Sequence, residues 1–179
     1  MKMILFMLPL SLMLTQCANK ELGDRVKEPF SGSSYESNNR FFRAVGKGSS
    51  TNDNVAKSKA DIEAKRELAQ QVQTNIRVVT DQYLADTQTS SGSDINDKFQ
   101  TLIREVTATE IADLRKMGEE KYIKEGEYTV FIAYEIKKNA MLRFMKKKAK
   151  ADAKIDEVTR KSIEEILDKE IERLDALDN

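Results

Sequence analysis

The sequence predicts an α+β fold: a small antiparallel sheet of about three strands packed against two helices, followed by a long C-terminal helix. Three observations carry this. Tyr128, Val130, Ile132, Tyr134 and Ile136 alternate with Thr129, Phe131, Ala133 and Glu135, the period of a strand. Val55, Ile62, Ala69, Ile76 and Tyr83 recur every seven residues, with Leu68, Val72 and Val79 filling the same stripe, the period of a helix. From Lys138 to Leu177 there is no Gly or Pro, and apolar residues keep helical spacing.

In chain order, Met1-Lys2-Met3 supplies one positive charge, and Ile4 to Leu14 is an apolar run broken only by Pro9 and Ser11. A charged start and a short apolar stretch are the pattern of a secretory signal segment. The run falls short of the ~20 apolar residues that span a bilayer. Residues 17–39 are polar and contain Gly23, Pro29 and Ser31-Gly32-Ser33-Ser34, which predicts a flexible tether. Arg40 to Gly48 reads as a strand with Phe42 and Ala44 on one face and Phe41, Arg43 and Val45 on the other; Gly46 and Gly48 are expected to end it. Ser49 to Asp53 offers N-cap residues and an early acid for a helix over 53–85. Its seven-residue stripe is expected to face the sheet, with Ala56, Ala60 and Ala64 leaving room for close packing.

Residues 86–94 form a loop, from which Ser93 or Asp94 can cap a second helix through about Val106, with Ile95, Phe99, Leu102 and Val106 at helical spacing. Thr107 to Met117 is predicted as a strand with Ile111 as its clearest apolar residue. Residues 118–126 join it to the last strand through a turn at Glu125-Gly126-Glu127. The C-terminal run of about 40 residues would extend roughly 60 Å as one helix. Met141, Leu142, Phe144 and Met145 are expected on the sheet. Beyond them Ile155, Val158, Ile163, Ile166, Ile171, Leu174 and Leu177 form a seam too long for one small domain to cover. A helix from a second copy or from another protein would cover it; so would the chain itself, if it folds back or breaks near Lys150. The organisation read from the sequence is therefore a signal segment over 1–16, an anchor and tether over 17–39, an α+β domain over 40–138 and a long charged helix over 139–179.

Composition narrows the chemistry. The chain has 30 Lys+Arg, 30 Asp+Glu and no histidine. Balanced charge offers no field for a nucleic-acid partner. Without histidine there is neither a Ser-His-Asp triad nor an imidazole metal site, and the commonest general base is missing. Cys17 is the single cysteine, so an exported chain cannot form an internal disulfide.

The segment Leu14-Thr15-Gln16-Cys17 resembles a bacterial lipobox, with Gln16 where Gly, Ala or Ser is usual. The resemblance implies cleavage before Cys17 and lipidation of Cys17 through a thioether to diacylglycerol, with further fatty acylation, so that the partner of this end of the chain is a membrane. Ala18 and Asn19, rather than an aspartate, follow the cysteine, which points to the outer membrane. The order of elements, with Ala44-Val45-Gly46-Lys47-Gly48-Ser49-Ser50, the alanines Ala56, Ala60 and Ala64 with Leu68-Ala69, and Tyr128 to Ile136, resembles the LPP-twenty lipoprotein family of Gram-negative bacteria over about 40–140. That resemblance implies a small α+β unit that assembles into rings or docking surfaces. It carries no catalytic, cofactor or metal-ligating residue across, and the C-terminal helix is not part of its pattern.

Two further segments have a chemical reading. Gly46-Lys47-Gly48-Ser49-Ser50-Thr51 superficially resembles a phosphate loop but lacks the four residues between glycines that a P-loop needs; it reads as a tight turn and helix cap. Arg143, Lys146, Lys147, Lys148, Lys150 and Lys154 make a basic stretch, and Glu164, Glu165, Asp168, Glu170, Glu172, Asp175 and Asp178 make the following half acidic. The pattern suits anionic head groups, antiparallel pairing of two copies, or a solvated helix face. The expected function is a non-enzymatic structural, assembly or scaffold lipoprotein of the outer envelope. The alternatives are a binding module for an envelope glycan or lipid, and a hydrolase using paired carboxylates.

Overall fold

The alternating run that ends in Ile136 becomes the centre of the sheet. In the computed structural model the described residues are 26–87, 92–109 and 113–177; Cys17, the signal segment and Ile111 lie outside them. Three antiparallel strands, β1 (Phe41–Ser50), β2 (Arg115–Lys124) and β3 (Glu127–Lys137), lie in the order β1-β3-β2. Phe42 faces Ile136, Ala44 faces Tyr134 and Gly46 faces Ile132 across the β1–β3 pair. Glu125 (φ 52°) and Gly126 (φ 82°) make the two-residue turn between β2 and β3, the primed type whose twist matches a hairpin.

Helix α1 (Asp53–Thr87) crosses β1 and β3. Asn52 caps it, its side chain accepting the Val55 N–H at 3.2 Å. Helix α2 (Gly92–Thr109) buries Ile95, Phe99, Leu102, Ile103 and Val106, and α3 (Lys138–Ala151) and α4 (Glu157–Asp175) follow β3. The α+β class and the three-stranded antiparallel sheet are as the sequence predicts. Helix α1 is the one that lies on the sheet, whereas α2 packs on α1, α3 and α4.

Five details differ from the sequence reading, each for a physical reason. Gly46 and Gly48 do not end β1; they sit inside it, because the α1 backbone passes directly over them. A Cβ on Gly46 would lie within the Ala60 carbonyl, and one on Gly48 would lie 2.6 Å from Ala60 N. The small residues on both elements are one device, backbone-to-backbone approach.

The buried stripe of α1 is Ala56, Ala60, Ala64, Leu68, Val72, Ile76 and Thr80, one residue in four. Val55 and Ile62 of the expected seven-residue stripe are 45% and 64% exposed. A four-residue step turns the stripe about 40° each time. The face that meets the sheet at Ala56–Ala64 has therefore rotated by Ile76 toward the helical layer of α2 and α4.

The strand expected over 107–117 starts later, since α2 runs to Thr109 and β2 begins at Arg115; helical packing of Val106 and Ile103 extends α2 at its expense. The expected single C-terminal helix is two helices. Asp152 and Asp156 divert backbone groups, Asp152 Oδ1 accepting Lys154 N–H (2.8 Å) and Asp156 Oδ1 accepting Thr159 N–H (3.0 Å), competition that ends one helix and caps the next. The turn lets Ile163, Ile166, Leu167, Ile171 and Leu174 bury themselves in the chain's own core with Met141, Leu142 and Met145, whereas Val158 and Leu177 of the expected seam stay exposed, at the start of α4 and just past its end.

The expected tether is the fifth. Residues 17–25 lie outside the described residues, but Glu28 to Asn38 straps the outer face and edge of the sheet. Glu28 pairs with Lys47 at 2.6 Å, and Glu36 O accepts from Arg43 Nη1 at 3.1 Å. The Phe30 ring fills the space over Gly118. Phe30 takes a left-handed φ of 55°, a conformation that costs an L-residue about 1–2 kcal/mol and is offset by that seat and by the Tyr35 ring 5.1 Å away.

Candidate binding groove

Edge strand β1 and helix α1 run side by side, and the strap closes one end of the gap between them. The result is a groove of about 720 Å³, within the range of small-ligand sites. Its apolar lining is Phe42 and Ala44, both buried, with Val45 and the half-exposed Val78; its polar lining includes Tyr35, Glu36, Glu67, Gln70, Asn75 and Lys138. The helical side presents 67, 70, 71, 74, 75 and 78, the spacing of one α-helical face.

The strand edge in this groove is occupied. Ser37 Oγ accepts the Arg43 N–H (2.8 Å) and donates to Gln71 Oε1 (2.6 Å), and Gln71 Nε2 donates to Arg43 O (3.0 Å). Asn38 does the same for Phe41, with its N–H on Phe41 O at 3.0 Å and its Oδ1 accepting Phe41 N–H at 2.9 Å. Further along, Lys59 Nζ donates to Ser49 O at 3.0 Å. Such plugs blunt an exposed sheet edge. Lys138 stands over the Phe42 ring, 4.6 Å from its centroid; burial, with Arg173 nearby, lowers its ammonium below the usual lysine value.

No family model matches the chain, and no curated protein or solved structure matches it. The LPP-twenty resemblance accordingly stands on the segments quoted for it. The structure makes framework of all three: Ala44–Ser50 and the helix alanines form the β1–α1 contact, and Tyr128–Ile136 is the central strand.

The other sequence-level candidates fall elsewhere. Cys17 is outside the described residues. The glycine–lysine–serine segment is strand rather than phosphate loop through Ser50, with Lys47 over the Phe131 ring. The basic stretch meets the acidic one inside the chain: Arg143 pairs with Asp175, Lys146 with Asp168 and Lys150 with Glu164, at 2.5, 2.5 and 3.3 Å. The charge pattern that suits two antiparallel copies is met by α3 against α4.

Among the described residues no group of three or more Cys, His, Asp or Glu side chains is placed to hold a metal. The ionisable groups that do cluster join elements together. Glu135, 3% exposed on β3, accepts from Arg43 at 2.9 Å and is also paired with Arg115. Asp61 on α1 accepts from Tyr134 on β3 at 2.7 Å. Burial works to raise the Asp61 carboxyl, and hydrogen bonds from Lys65 and Tyr134 outweigh it and hold it below the usual value. Burial, with the Asp61 acceptor, pushes the Tyr134 hydroxyl up to about 12.

Sequence reasoning missed the groove. Its signal was compositional: in a chain that is 34% charged, Gln70-Gln71-Val72-Gln73-Thr74-Asn75 carries no charge. Tyr35 and Lys138 come to it from segments far away in the chain, which no local pattern reveals.

Proposed function

We propose that the chain is a non-enzymatic lipoprotein of the Gram-negative cell envelope, anchored at the outer membrane by lipid on Cys17. Its role is structural, as an assembly or scaffold unit working through the α+β domain and the helical C-terminus. The observation that carries the reading is the strap. Downstream of a cysteine in lipobox context, Glu28, Phe30, Glu36, Ser37 and Asn38 fasten the chain to β1 and across Gly118. A load on an N-terminal anchor then passes into the two outer strands of the sheet, β1 and β2, rather than into a loop. Two or more acyl chains, each methylene contributing about 0.8 kcal/mol on burial, make such an anchor stable. No helix among the described residues is long and apolar enough to cross a membrane.

The partner in this role is a second copy or another envelope protein. Because the α4 seam is closed on α3, such a partner uses the outer surface of the domain. Mass spectrometry of the native N-terminus and fractionation of a Cys17→Ser variant test the anchor. Acylated Cys17 with loss of membrane association in the variant is expected; an unprocessed start in the cytosol refutes it. Light scattering and crosslinking of the native lipoprotein test the assembly role, and a strict monomer without an envelope neighbour counts against it.

A further inference from the structure

We propose that the groove between the edge of β1 and α1 binds a neutral oligosaccharide, recognised by side chains along one face of α1 and at the start of α3. Four observations converge on that ligand class. First, the polar groups facing the groove are of the kind that hold sugar hydroxyls. The Gln70 and Asn75 amides both donate and accept, the Tyr35 hydroxyl does either, and Lys138 donates. None of these four side chains has a hydrogen-bond or ion-pair partner among the described residues. Second, the apolar lining that solvent reaches is Val78, 50% exposed, and the half-buried Val45, with Phe42 and Ala44 buried beneath, an apolar patch on which the C–H face of a pyranose can rest.

Third, the length fits a chain rather than a single ring. From Glu67 to Val78 the helix face runs roughly 16 Å, room for about three pyranose units. Fourth, charge selects against anionic ligands. Arg43 is already paired with Glu135, which leaves the Glu36 and Glu67 carboxylates against the single Lys138 ammonium. The two carboxylates accept from hydroxyls and repel acidic groups.

The same geometry disfavours the other occupants. A peptide strand added to a sheet edge needs a run of free main-chain groups, and Ser37, Asn38 and Gln71 occupy those of Phe41 and Arg43 where the groove lies. An acyl chain laid along the apolar patch would strip water from the amides and the ammonium without replacing their hydrogen bonds. The ligand reading stands apart from the anchoring one, since it concerns the purified chain and not its location.

Isothermal titration calorimetry on the full chain, in a detergent without a sugar head group, tests it. The probes are chitotetraose, maltotetraose and cellotetraose, with oligogalacturonate and an extended hexapeptide alongside. Saturable binding of at least one neutral tetrasaccharide is expected, weakened about tenfold by Asn75→Ala and by Lys138→Met and unchanged by Lys161→Ala on the far side of α4. Both variants place good helix formers in helices, and circular dichroism confirms their folding. Absence of saturable binding by all three neutral tetrasaccharides overturns the proposal. So does binding that neither groove variant alters, or groove-dependent binding of the hexapeptide or the oligogalacturonate in their place.

Discussion

On the helix side of the sheet, Gly46 and Gly48 of β1 meet Ala56, Ala60 and Ala64 of α1 at backbone distance. On the opposite side the same strands bury a carboxylate, Glu135, between two arginines and hold a strap with Phe30, Glu36 and the Glu28–Lys47 pair. Alternation along β3 sends Val130, Ile132 and Ile136 to the first side and Phe131, Ala133 and Glu135 to the second. One strand is thus buried on both faces by two kinds of chemistry. Close packing does not tolerate an added atom. The ionic and aromatic side depends on each partner being present, and its cost on mutation follows how deeply that partner lies.

The helix side should break hardest. Gly48→Val places a branched side chain against the Ala56 and Ala60 backbone and is expected to cost about 3 kcal/mol or more, read by chemical denaturation; near-wild-type stability would mean that the helix can lift from the strand. On the other side, Glu135→Ala strands Arg43, itself only 13% exposed, and should cost about 3 kcal/mol, whereas Arg115→Ala, with Arg115 73% exposed, should cost under about 1 kcal/mol. Equal losses for the two would contradict the asymmetry. Phe30→Ala should cost about 1–2 kcal/mol and speed amide exchange over 28–38 while leaving β3 protected, separating the strap from the sheet beneath it.

A smaller effect concerns the polar link from Tyr134 to Asp61 on the helix side. Tyr134→Phe removes the hydrogen bond to Asp61 and should cost about 1 kcal/mol at neutral pH. Its pH signature follows from linkage. The Tyr134 hydroxyl is raised from 10.0 to about 12, so its contribution is full below pH 10 and is lost as pH rises toward about 12. Asp61 is lowered from 3.8, so its contribution is present above that value and fades as pH falls below it. The variant should flatten the alkaline limb of a stability–pH curve. The smallest change is expected at the α3–α4 ion pairs: Lys150→Ala, on an exposed pair with Glu164, should shift stability by no more than about 0.5 kcal/mol, a thermal-melt measurement.

How far the fold could be read from the sequence varies element by element. The β3 alternation, the Glu125-Gly126 turn and the apolar spacing of α2 were legible because each is a local periodicity or a local turn requirement. The phase of α1 was not. Alanine is a weak hydrophobic signal, so the seven-residue recurrence of Val55 and Ile62 outweighed the four-residue row that is in fact buried. The α3–α4 break was legible only as an alternative near Lys150, because two aspartates make it with no Gly or Pro to mark the place. Of the groove, the uncharged Gln70–Asn75 stretch was visible, but its partners Tyr35 and Lys138 were not.

By itself the sequence determined the class of the fold, the strand over 128–136, the chemistry that histidine's absence removes and the lone cysteine in its lipobox-like setting. These follow from composition and from short periods along the chain. The tertiary structure decided which face of α1 is buried, that two glycines lie inside a strand, that the basic and acidic halves of the C-terminus close on each other, and that a groove opens beside β1. Each of these depends on which segments, distant in sequence, approach within a few ångströms, and packing of the whole chain sets that approach where no local pattern does.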